Sequence, residues 1–148
     1  MNDQSSSGDL TDFLAGLVDL SAKSPTVAFQ ELASQIKAVP ARGDEAAPAS
    51  CSTTSRCLAQ ALSGVQADES FTHGIAAAAR GASWGEASRG VPQFFAGGYA
   101  YAILASEQPP VTSDSLRIGL LLQQSEISYP EHAHDAEEFY FILSGTAK

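Results

Sequence analysis

Tyr129-Pro130-Glu131-His132-Ala133-His134-Asp135-Ala136-Glu137-Glu138-Phe139-Tyr140 is the stretch on which the fold turns. His132 and His134 are two apart, so on a strand both rings leave from one face. Glu138 and Tyr140 share a face by the same parity. A turn at Asp135–Glu137 would fold the second segment against the first, so that two imidazoles and a carboxylate converge. Such a set holds a divalent transition metal and leaves positions open for water or substrate. A His-x-His pair near acids also occurs on solvated turns. The apolar run Phe139-Tyr140-Phe141-Ile142-Leu143 favours the metal, because it draws Glu138 and Tyr140 into or beside a core. A carboxylate there needs a partner.

Upstream of this stretch the pattern is that of strands. Tyr99-Ala100-Tyr101-Ala102-Ile103-Leu104 predicts one strand, and Leu116 to Leu122, apolar on both faces, predicts a second in the interior. Ser128 to Ala133 and Glu138 to Leu143 predict a third and a fourth. Gly81, Gly85, Gly90 and Pro92 break the preceding region into loops. Earlier still the period is helical. Leu10, Phe13, Leu14, Leu17 and Val18 make one apolar stripe, with Asp9 as its N-cap. Ser24-Pro25 starts a second helix carrying Phe29, Leu32, Ala33 and Ile36, which Pro40 ends. Residues 40–56 suggest a linker or long loop. Leu58, Ala61, Leu62 and Val65 mark a third helix, and residues 70–80 a short fourth.

Helices first and strands later predict an α+β protein: a helical region over 1–80 packed on a β domain over 81–148. Four strands are too few to close a barrel of about eight. The expectation is a fragment, its C-terminal strands missing.

A chain of 148 residues accommodates one compact domain. A hydrophobic fraction of 44% and a charged fraction of 17% argue against disorder. Eight basic against 17 acidic residues give a net charge of -9, the wrong sign for nucleic acid or an anionic membrane surface. No apolar run approaches a membrane span of about 20 residues, and no secretory signal is legible. Two cysteines make no disulfide framework. The expected setting is soluble and cytoplasmic.

The spacing from His132 and His134 through Glu138 to Gly145 resembles the first motif of the cupin superfamily, whose fold is a double-stranded β-helix or jelly-roll barrel. Where that motif often has glycine, six residues before the first histidine, this chain has Glu126. The flanking residues narrow the resemblance. Tyr129, Ala136, Tyr140 and Leu143-Ser144-Gly145-Thr146, with the earlier Ser113-Asp114, Arg117 and Gly119-Leu120-Leu121-Leu122, are similar to cupin-type dimethylsulfoniopropionate (DMSP) lyases. The resemblance is strong over 98–148 and architectural over 1–80. It implies a metal-dependent carbon–sulfur lyase that cleaves DMSP to dimethyl sulfide and acrylate. His132, His134 and Glu138 would then be metal ligands, Tyr140 the catalytic base and Tyr129 a second active-site tyrosine. The metal would be divalent: Zn, Fe, Mn, Co or Ni. A further ligand from a second cupin motif is absent, since no histidine follows His134, so the chain as given would be an inactive fragment. The implied partner is a small zwitterionic sulfonium; a homodimer is compatible with it.

Aromatic side chains could hold that sulfonium through cation–π contact, and Trp84, Phe94, Tyr99 and Tyr101 qualify by type. Tyr99 and Tyr101 share a strand face that suits a core as well as a ligand cage. His73 fits a helix surface, and Cys51 and Cys57 fit structural thiols. Arg117 could pair with a substrate carboxylate or within the sheet. The same ligand set also serves dioxygenases, sugar isomerases and non-enzymatic ligand-binding cupins.

Overall fold

The computed structural model describes residues 9–86, 98–129 and 135–148. Among these residues four helices precede an open four-stranded mixed sheet, an α+β arrangement. The helices are α1 (Thr11–Lys23), α2 (Val27–Lys37), α3 (Ser52–Ser63) and α4 (Glu69–Gly81). The strands are β1 (Gly85–Glu86), β2 (Tyr99–Ser106), β3 (Val111–Thr112) and β4 (Ile118–Gln123). No helix among the described residues is long and apolar enough to cross a membrane.

The apolar stripes read from the sequence are the buried faces. Phe13, Leu14 and Leu17 of α1 join Leu32 and Ile36 of α2 and Phe71, Ile75, Ala78 and Ala79 of α4 in one core. The same core takes Ala100, Ala102 and Leu104 from β2 and Leu120 and Leu122 from β4. Starts shift by a residue or two. Leu10 is the N-cap of α1, and Asp9 acts one residue earlier, accepting from the Thr11 amide at 2.9 Å while it pairs with Arg42 at 3.1 Å. Helix α2 begins at Val27, not at Pro25. In α4 the N-cap is Asp68, accepting from the Phe71 amide at 2.9 Å.

β2 is the organising strand. It pairs antiparallel with β4 along its length, from Tyr99↔Gln123 to Ala105↔Ile118, with an irregularity between Ile103 and Ala105. Short ladders with β1 and β3 engage its two ends. β4 is not apolar on two buried faces as its composition suggested. Leu120 and Leu122 are buried, while Leu121 is 45% exposed, because no second layer of described residues covers that side.

The expected fourth strand also needs correcting. Residues 138–143 form no ladder with the described strands, and Ser128 and Tyr129 of the expected third strand are likewise irregular, its remainder lying outside the described residues. The period-two alternation survives in burial alone. Phe139, Phe141 and Leu143 pack on the core, while Glu138, Tyr140 and Ile142 face outward. Phe29 of α2 receives this segment, its ring 4.9 Å from that of Phe139 and 5.4 Å from that of Phe141. The segment finds side-chain partners on a helix and has no backbone partner among the described strands.

Candidate active site

Glu138 and Tyr140 leave the C-terminal segment on the side opposite Phe139 and Phe141. The shared parity is therefore as expected, but the environment is not. Neither is drawn into the core, and Tyr140 is 53% exposed. The Tyr140 hydroxyl donates to Glu138 Oε2 at 2.5 Å. That bond holds the proton on the phenol, and with burial and the charge of Glu138 it pushes the Tyr140 pKa up to about 12.

Tyr99 gathers the remaining aromatic groups. Its ring lies 5.5 Å from that of Tyr129, edge to face, and 6.3 Å from that of Tyr101. Burial, a hydrogen bond with Tyr129 and the proximity of Tyr140 and Tyr101 all push the Tyr99 hydroxyl up. Tyr101 and Tyr129 thus contact Tyr99 by their rings, and Tyr140 lies within its electrostatic reach. Strand parity put Tyr99 beside Tyr101 in the sequence. It could not show that Tyr129 and Tyr140 come across from the later segment, because that approach is set by tertiary packing.

His132 and His134 lie outside the described residues, so Glu138 is the described member of the expected ligand set. Among the described residues no three His, Cys, Asp or Glu side chains converge as a metal site. An outward carboxylate beside a phenol is a hard oxygen donor. With two imidazoles it would make the mixed nitrogen–oxygen set that suits a divalent transition metal.

Other sequence candidates fall elsewhere. Trp84 is buried, its indole N–H donating to the Ala79 carbonyl at 2.8 Å, so it serves the core. Phe94 lies outside the described residues. His73 is exposed on α4, and Cys51 and Cys57 are free, half-buried thiols. A hollow of about 230 Å³ between α1, the α3–α4 connection and Ile142–Leu143, and one of about 300 Å³ beside Trp84, are lined neither by Glu138 nor by any tyrosine.

Comparison with known proteins adds an independent line. Residues 22–148 match the family model of dimethylsulfoniopropionate lyases. A curated relative, dimethylsulfoniopropionate lyase DddQ of Ruegeria pomeroyi, is 42% identical over 50 residues. That stretch is 34% of this chain and spans a quarter (25%) of the relative's length. No solved structure gives a significant match.

Proposed function

The chain belongs to the dimethylsulfoniopropionate lyase family, and from that premise we propose that it catalyses β-elimination of DMSP to dimethyl sulfide and acrylate. The observation that carries the proposal is the Tyr140–Glu138 pair, turned outward within electrostatic reach of Tyr99 and Tyr129. A cupin barrel built around β2 and β4 is part of the same proposal, with His132, His134 and Glu138 as metal ligands. When bound there, a divalent metal would supply Lewis acidity to the substrate carboxylate and engage the charge of Glu138.

Tyr140 first gives up its own proton to solvent, and the resulting phenolate takes the α-proton at its oxygen. The electrons of the broken C–H bond become the second Cα–Cβ bond of acrylate. The Cβ–S bond breaks with its electrons on sulfur, which leaves as neutral dimethyl sulfide, so no acid is needed at the leaving group. With its proton donated to Glu138, Tyr140 is a poor base at neutral pH. It becomes one only when the charge of Glu138 is engaged elsewhere. Tyr129, in edge-to-face contact with Tyr99, would bound the substrate space in this reading.

The test is direct. The purified product of the whole coding sequence, loaded in turn with Zn, Fe, Mn, Co and Ni, is given DMSP, and acrylate in solution and dimethyl sulfide in the headspace are both measured. Equal yields with at least one metal, lost on chelation, are expected. Metal uptake without acrylate in any of the five would return the protein to the wider metallo-cupins.

A further inference from the structure

The outer face of the β2–β4 pair carries Tyr101, Ile103 and Leu121, exposed by 41%, 36% and 45%. Tyr101 and Leu121 are direct cross-strand partners. On one side the Tyr101 ring runs along β1, where an atom at the Cβ position of Gly85 would sit 3.7 Å from its Cζ. On another it meets Tyr99 at 6.3 Å, with the two ring planes 30° apart. Supported in this way, the ring keeps a position without being covered. Tyr99 in turn meets the Tyr129 ring edge to face at 5.5 Å and so links this face to the later segment. Arg117 stands just before β4, at the end of the ladder away from Tyr99. The patch therefore joins electron-rich ring faces to aliphatic surface, on a chain of net charge -9.

That combination suits a soft, weakly hydrated onium cation better than a metal ion or an ammonium such as that of lysine. Its methyl groups find apolar contact while its charge meets π density. We propose that Tyr101, supported by Tyr99 and flanked by Leu121, forms the subsite for the sulfonium head of the substrate. The assignment rests on the lyase reading, which supplies the sulfonium. Tyr101 is a binding residue here; it takes no part in proton transfer.

The probe is the trimethylsulfonium ion, titrated into the full chain and followed by proton NMR of the tyrosine rings. Saturable shifts of the Tyr101 resonances are expected with trimethylsulfonium. Dimethyl sulfoxide, pyramidal and neutral, should produce none. Tyr101→Phe keeps the π face and should bind within about twofold of the wild type. Tyr101→Leu should weaken binding by about fivefold or more. Equal binding by the Phe and Leu variants, or equal response to dimethyl sulfoxide, would overturn the subsite. The wild-type titration stands even if Tyr101→Leu does not fold. Acrylate formation, measured in parallel, separates the two proposals. Trimethylsulfonium binding with the expected variant order but no acrylate would keep an onium subsite and remove the lyase. Acrylate formation with KM unchanged in Tyr101→Leu would remove the subsite and keep the lyase.

Discussion

At the residue scale, Tyr140 carries the proposed chemistry, and its partner is in view. Tyr140→Phe keeps the ring and removes the oxygen that would take the α-proton. Loss of a positioned base costs about 10²–10⁴-fold in rate. The expected outcome is that fall in kcat for acrylate formation, with metal content at the wild-type level. His132→Ala should lower metal content and activity together; unchanged kcat in fully metallated Tyr140→Phe would exclude Tyr140 as the base. Two further residues concern stability. Ser21 is fully buried in α1, and among the described residues its hydroxyl has no hydrogen-bond partner. An unpaired buried hydroxyl costs about 1–3 kcal/mol, so Ser21→Ala should raise the unfolding midpoint in urea. Glu126 adopts φ 63°, left-handed backbone that costs a non-glycine residue about 1–2 kcal/mol. It occupies the position where the resembled motif often has glycine, so the sequence showed the substitution but not the backbone it must adopt. Gly145, with φ 79°, keeps the glycine that its own backbone asks for.

At the scale of elements, periodicity was a reliable guide to faces and a poor one to partners. The apolar stripes of α1, α2 and α4 could be read because a helix makes its own hydrogen bonds, so sequence spacing alone sets its faces. A strand needs a backbone partner from elsewhere. The alternation in 138–143 correctly gave Phe139, Phe141 and Leu143 as the packed side, yet the segment docks on Phe29 and joins no described ladder. β1 and β3, two residues each, are too short to carry any period. Close helix packing was equally hidden. α1 and α4 approach so nearly that a Cβ at Gly74 would lie 2.5 Å from the Phe13 amide nitrogen, and one at Gly16 would lie 2.0 Å from the Phe71 ring. The Gly74 contact is with backbone, which cannot rotate aside. Gly74→Ala should therefore push the helices apart and destabilise the protein by about 1–3 kcal/mol, despite the better helix propensity of alanine. Urea unfolding of the two proteins checks this, and equal midpoints would show that the crossing is looser.

For the whole molecule, the helical layer and the sheet are tied by a carboxylate that no local pattern announced. Glu86 of β1 accepts at one oxygen from the Ser52 hydroxyl at 2.7 Å, the Thr53 amide at 3.0 Å and the Thr53 hydroxyl at 2.9 Å. These partners are the first turn of α3, where orphan amides and the helix dipole favour an anion. The donors lie 33 and 34 residues away in sequence, which is why spacing could not reveal them. The Ser52 bond is the leading cause that lowers the Glu86 pKa from 4.5 to about 2, followed by the two bonds from Thr53. The sign follows from linkage. The unfolded chain binds this proton near pH 4.5 and the folded chain only near pH 2, so the contribution is complete above about 4.5 and is lost as the pH falls toward 2. Asp9, held below its ordinary value chiefly by its bonds from Thr11, acts in the same direction. Glu86→Gln removes the charge but keeps an amide oxygen that can still accept. At pH 7 the variant should unfold at lower urea than the wild type, and the two midpoints should converge as the pH is lowered from about 4.5 to 2. A gap that stays constant across that range would mean that Glu86 contributes through packing, and that the bond between helix layer and sheet does not depend on its charge.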